Sequence, residues 1–265
     1  FFLRVRRPPR STQGRSSAAS DVYKRQSMLR YTTEAIILHT DDFLESDKIV
    51  HALSRDQGLI SAIAKGAHRS RKRFPGTLEP FCEVCLEMHK GRGADLQRIE
   101  SAVLIDAHFG IREELSLLGH ASVLLEVIRE NLGPYDPVPA TYECLRGALA
   151  VLCEGKQWFP LWSIAMVNIL RLLGYGIDVG ALSAGREYAA DFSRSLLSRE
   201  ACMFLDKGSR LDQDVLRRVN VSSEAKRDIT LFLLNACSRV SVRPLKTVDF
   251  LVKLLDLDMK QCYMR

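Results

Sequence analysis

Three observations predict an α+β fold, a five-stranded barrel of the OB-fold type followed by an all-α helical domain. Hydrophobic residues recur with a period of two between Tyr31 and Glu100, glycine-containing turns divide that region into five short segments, and near Ala107 the period changes to about 3.5. On this reading the barrel spans residues 28–106 and the helical domain residues 107–265.

Ala35 to Leu38 begins the first strand and Ile49 to Leu53 forms the second; the turn Asp56-Gln57-Gly58 then leads into Leu59 to Ala64, the third. In the fourth, Cys82, Val84, Leu86 and Met88 face one way and Glu83, Glu87 and His89 the other, which places one face in a core and the other in water. Gly91-Arg92-Gly93 turns the chain, and Ala94 to Ile99 supplies the fifth strand. Beyond Ala107, Ile111, Leu115, Leu118, Leu125, Ile128 and Leu132 share one stripe, a helix of about 20 residues that Gly133-Pro134 ends. A second helix runs from Pro139 to Cys153. A third begins after Phe159, with Pro160 in its first turn and Gly174 just past its end. The third is apolar nearly all round, so Trp158, Phe159 and Trp162 are assigned to core packing. Residues 175–195 carry no pattern. Helices follow near 197–206, 212–219, 223–240 and 248–257, the last with Thr247 as N-cap and Asp249 complementing the helix dipole.

The formal net charge of +6 comes from the N-terminus. Residues 1–27 hold seven cations against one acid, Asp21, and without them 31 charges of each sign remain from Met28 onward. The basic pI is therefore no evidence for DNA binding. Rich in arginine, serine and proline and without apolar periodicity, residues 1–27 are expected to be disordered. The strings RRPPRSTQG and SSAASDVYKRQ read as translated sequencing-adapter sequence, a non-native extension, with Met28 as the true start. Seven cysteines, an odd number scattered through apolar segments, suit buried thiols in a reducing cytoplasm; no apolar run is long enough to span a membrane.

The stretch with the clearest chemistry is KGAHRSRKRFPGTLEPF at 65–81. Lys65, Arg69, Arg71, Lys72 and Arg73 fall within nine residues without an acid, and Phe74 follows directly. Gly66, Pro75 and Gly76 oppose a regular helix or central strand, so the cations lie on a loop that can follow a bent polyanion. Each cation placed on a phosphate releases a counterion, and Phe74 is positioned to add base stacking worth roughly 1–3 kcal/mol. The same charges also suit a solvated loop or a localisation signal. Glu83 and Glu87, nearby, limit the basic surface, and Arg243 and Lys246 read as a solvated helix entry.

Little in the sequence points to catalysis. The six histidines have no zinc-ligand spacing, and no nucleophile elbow, phosphate loop or dinucleotide fingerprint occurs. Asp41, Asp42, Glu45 and Asp47 read as a solvated turn beside Lys48. Cys82 and Cys85 form a lone CxxC with no second pair, and residues three apart on a strand face opposite sides.

Several segments resemble the RecO family of bacterial recombination mediators, in family order: EAIILHTDDFLESDKIV at 34–50, QGLISAIAKGA at 57–67, RFPGTLEPF at 73–81, LRLLGYG at 170–176 and RPLKTVDFL at 243–251. The resemblance implies a DNA repair protein without enzymatic activity and without cofactor, cytoplasmic and nucleoid-associated. It implies binding of single- and double-stranded DNA and annealing of complementary strands. It also implies contact with single-stranded DNA-binding protein and, with RecR, help in loading RecA. Lys65, Arg69, Arg71, Lys72 and Arg73 fall where family members carry DNA-contacting cations, with Arg92 a weaker addition. Many members carry a four-cysteine zinc module after LLGYG. Here the stretch after Gly176 retains only Cys202, so no metal is expected. An RNA-binding barrel, or an adaptor that contacts proteins through its helices, stays open beside this reading.

Overall fold

The computed structural model describes residues 29–90, 96–177 and 197–257. Residues 1–28, the expected turn at Gly91-Arg92-Gly93, most of the stretch after Gly176 and residues 258–265 lie outside them. Five strands close into a barrel in the order β1-β2-β3-β5-β4: β1 (Leu29–Phe43), β2 (Asp47–Ser54), β3 (Gly58–Ala64), β4 (Glu83–Lys90) and β5 (Gln97–Asp106). β1 is long enough to serve two neighbours. Its first half pairs with β4 and its second with β2, both antiparallel, with an irregularity between Ile37 and His39. β3 and β5 are parallel and meet only at Ala62 with Gln97 and Ile63 with Arg98.

The two faces of β1 serve two cores. Ala35 and Ile37 join Val84, Leu86, Met88 and Ile99 inside the barrel, whereas Ile36 and Leu38 join Leu53, Leu59 and Phe81 against the helices. A strand buried on both sides reads as a continuous apolar run, which is why only Ala35 to Leu38 stands out of a strand of 15 residues. Gly58 starts β3 with a φ of +69, and a Cβ there would lie 1.8 Å from the Asp136 carbonyl oxygen. The close approach joins β3 to the interhelical segment, where the Tyr135 amide donates to the Leu59 carbonyl at 3.0 Å.

Three strand expectations need correction. The fifth strand starts and ends later than Ala94 to Ile99, because register shifts against β4 at Glu83/Val84 and Glu87/Met88 break the alternation in its second half. Glu83 does not face water: it is 5% exposed and accepts a hydrogen bond from Tyr142 Oη at 2.9 Å, with Arg146 at 3.8 Å. A buried carboxylate under the helices does not limit a surface track. Glu87, partly buried, accepts from Ser101 Oγ at 2.9 Å.

Seven α-helices follow among the described residues: α1 (Leu115–Asn131), α2 (Pro139–Glu154), α3 (Trp158–Leu172), α4 (Arg199–Gly208), α5 (Gln213–Leu216), α6 (Ser223–Val240) and α7 (Lys246–Leu254). Ile111 lies in a 3-10 turn, Phe109–Arg112, ahead of α1 and not in it, because Glu114 is extended and caps the helix. Thr247 is not the N-cap of α7: Leu245 is, and the Thr247 amide and hydroxyl both donate to Glu126 on α1, at 2.9 and 2.5 Å. No helix among the described residues is long and apolar enough to cross a membrane.

α3 is central. Trp162 is fully buried and donates through Nε1 to the His120 carbonyl at 3.0 Å, and Phe159 packs beside it. The His120 ring lies edge-on to Trp158 and Trp162, its Nδ1 2.7 Å from the Ser116 carbonyl. Burial holds this imidazole down to about 4, so it is neutral in the folded protein. Because the folded value lies below the unfolded one, its contribution is complete above about pH 6.5 and is lost as the pH falls towards 4. We expect stability to drop by roughly 3 kcal/mol across that interval and His120→Leu to remove most of the drop, as read from urea midpoints. An equal drop in the variant would place the proton uptake elsewhere.

Candidate nucleic-acid interface

The basic loop occupies the gap that β3 and β5 leave. It runs from Lys65 to Cys82, and where the strands no longer pair, the Ala102 amide of β5 donates to the Arg73 carbonyl at 3.1 Å. Its apolar residues turn inward. Phe74 (6% exposed), Leu78 and Cys82 join the barrel core, and Phe81 joins the helical one. Phe74 therefore does not present a face to a base, contrary to the expectation from its place beside the cations. A phenyl ring beside an open barrel seam is held there by the apolar area it removes from water.

The turn between β1 and β2 anchors the loop at its other side. Asp47 accepts from the Gly66 amide at 2.8 Å and from Ser46 Oγ at 2.9 Å, and these hydrogen bonds, Gly66's first, hold its carboxyl below the usual range. The His68 amide donates to the Ser46 carbonyl at 3.1 Å, and its Nε2 lies 3.0 Å from Asp42 Oδ1. Lys48 pairs with Glu79 at 3.1 Å. Gly66 has a φ of +67, and a Cβ there would stand 3.2 Å from Arg73 Nη2, so glycine serves both the turn and the arginine.

The five cations divide by their surroundings. Arg73 is half-buried and committed to the loop: Nη2 donates to the Lys65 carbonyl at 2.6 Å, Nε to Ser70 Oγ at 3.2 Å, and the guanidinium lies 5.0 Å from the centre of the Phe74 ring. Lys65, Arg69, Arg71 and Lys72 are exposed, with no hydrogen bond or ion pair from their charged groups among the described residues. Four unpaired cations on a braced loop have the chemistry to meet a polyanion with little loss of backbone freedom. Arg92 lies outside the described residues. Arg243 and Lys246 are exposed at the entry to α7.

One apolar element of this rim is invisible in composition. Phe43, at the end of β1, is 40% exposed; Leu44 beside it is 77% exposed and holds a φ of +54. The left-handed region costs a leucine about 1–2 kcal/mol. The DDFLESD string reads first as charge, and the exposure of its two apolar residues depends on the turn geometry.

Elsewhere the titratable groups are structural. Asp41 lies 3.1 Å from His39 Nε2 and 3.5 Å from His51 Nε2. Burial pushes the Cys144 thiol up to about 11 and the Cys237 thiol up to about 12, which leaves both protonated near neutrality. No group of three or more His, Cys, Asp or Glu among the described residues is arranged to hold a metal ion. A cleft of about 770 Å³ opens beside His120, Trp158 and Phe159, with Lys226, Arg227 and Glu224 at its walls.

The division among the cations has a direct consequence. Arg73→Ala should lower stability by about 1 kcal/mol through its lost hydrogen bonds, whereas Arg71→Ala should stay within about 0.5 kcal/mol of the parent. Urea unfolding of the two variants distinguishes them, and equal effects would remove Arg73's part in holding the loop.

Residues 28–108 match the family described as Recombination protein O N terminal, and residues 112–249 match Recombination protein O C terminal. Among curated relatives, the DNA repair protein RecO of Syntrophobacter fumaroxidans is 36% identical over 176 residues, 63% of this chain and 68% of that protein. That of Syntrophotalea carbinolica is 36% identical over 196 residues, 74% and 76% of the two chains. That of Myxococcus xanthus is 34% identical over 133 residues, 50% and 54% of the two. With both family regions matched in order, one over the barrel and one over the helices, the chain belongs to the RecO family.

Proposed function

We propose that this chain acts in DNA repair and recombination as a mediator and not as a catalyst: it binds single- and double-stranded DNA through the loop between β3 and β4 and brings complementary strands together. The observation that carries this reading is the set of four exposed cations, Lys65, Arg69, Arg71 and Lys72, on a loop tied to both β2 and β5. Membership of a family whose curated relatives are named DNA repair protein RecO supports it. By the same reading the chain works with RecR and single-stranded DNA-binding protein to help load RecA onto coated strands.

Two strands repel each other over a range set by salt, a Debye length of about 10 Å at 0.1 M. A cluster of cations that neutralises phosphates of both strands lowers that repulsion, and because phosphates carry no sequence code, annealing is independent of sequence. From Met28 onward the loop's five cations are offset by the rest of the chain, where 26 cations face 31 acids, so the attraction is local to the loop. A second reading, an adaptor for other proteins, draws on the exposed apolar residues Val103, Leu104, Ile105 and Phe109 around the end of β5. The two readings are compatible, since these residues lie on β5 and the turn after it.

Affinity for single-stranded DNA should fall with salt, and each of Lys65, Arg69, Arg71 and Lys72 changed to Gln should reduce the log–log slope by about 0.7. The combined change to Glu at Arg69, Arg71 and Lys72 should abolish annealing of complementary oligonucleotides while cooperative melting is kept. A slope and an annealing rate unchanged in these variants would move the DNA site off the loop. Tighter binding to RNA than to DNA of the same sequence would favour an RNA-binding barrel.

A further inference from the structure

Base contact needs an exposed apolar or aromatic group beside the phosphate track, and Phe74 faces the core. The rim supplies another pair. Phe43 and Leu44 stand at the turn between β1 and β2, and that turn touches the basic loop at three points: Asp42 with His68, the Ser46 carbonyl with the His68 amide, and Asp47 with the Gly66 amide. Phe43 is also the ladder partner of Asp47. A leucine that is strained and buries little has no reason in packing, and such outliers concentrate where a chain meets a ligand. In barrels of this type the β1–β2 loop borders the oligonucleotide-binding face.

We propose that Phe43 and Leu44 are the base-contacting residues of the site, Phe43 stacking on one unpaired base and Leu44 packing beside the next, while the phosphates of the same strand run along Lys65, Arg69, Arg71 and Lys72. The proposal rests on the DNA-binding reading above. The charges around the tip agree with a division between base and backbone. Asp41 is engaged by His39 and His51, Asp42 by His68, and Asp47 by Gly66 and Ser46, with Lys65 nearby. Glu45 is exposed with no partner among the described residues, so it repels phosphate from the tip and leaves that position to bases. Paired bases offer no open face, so the tip favours unpaired strands over duplex.

The test uses the full chain with Phe43→Trp. The protein has two other tryptophans, Trp158 and Trp162, and the unaltered chain gives their background. An oligothymidylate should quench the added tryptophan saturably, at the concentrations where it binds. The double variant Phe43→Ala, Leu44→Ala should weaken single-strand binding about 10-fold, with the salt slope and duplex affinity unchanged. Retained cooperative melting excludes misfolding as the cause. Binding with no quenching of the added tryptophan, and full affinity in the double variant, would overturn the base contact and leave the cation track standing. No oligonucleotide binding by the unaltered chain would overturn both.

Discussion

β3 and β5 share two residue pairs, and a barrel with so short a parallel seam stays closed only if something else fills the gap. The segment from Lys65 to Cys82 does so without being a strand. It places Phe74 and Leu78 in the barrel core and hands the Arg73 carbonyl to the Ala102 amide. With its apolar residues committed inward, the loop has one direction left for its charges. Arg73 spends its guanidinium on the loop's own carbonyl and hydroxyl oxygens, and the other four cations project into solvent. The exposed basic face thus follows from closing the barrel: the residues that seal the seam orient the cations outward.

The same logic ties the barrel to the helices. β1 is apolar on both faces because one lines the barrel and the other meets the helical core through Ile36 and Leu38. Phe81, with a φ of +74, bridges the two layers: its amide and carbonyl reach the Ile37 carbonyl and His108 Nδ1, at 3.0 and 2.9 Å. Tyr142 closes the junction by donating to the buried Glu83, and burial together with that carboxylate pushes its phenol above the usual value. A loop anchored to a barrel that is itself locked to a bundle holds the backbone beneath its cations in place. On the proposed reading this favours binding, because less backbone entropy would be lost when a strand arrives.

Much of this was legible in the sequence. Alternation in Cys82, Val84, Leu86 and Met88 and the change of period near Ala107 give an α+β chain of barrel and helices, and the cluster at 65–73 marks the loop. What failed, failed where tertiary structure decides. Phe74 directly follows the five-cation cluster in sequence, but adjacency does not say on which side of a barrel wall a ring will lie. Glu83 alternates like a solvent-facing residue because the pattern cannot show that Tyr142, about sixty positions away, covers it. Thr247 has the chemistry of a cap, yet Glu126 on another helix claims its hydroxyl. Phe43 and Leu44 lie in an acidic string, and only the turn geometry exposes them.

Lysine modification followed by mass spectrometry, with and without bound single-stranded DNA, tests the placement of the interface most directly. Lys65 and Lys72 lie on the loop, whereas Lys156 and Lys246 are exposed in the helical half. Protection confined to Lys65 and Lys72, and lost as salt releases the DNA, is the expected result. Protection of Lys156 or Lys246 with Lys65 and Lys72 still reactive would contradict a site built on the barrel seam.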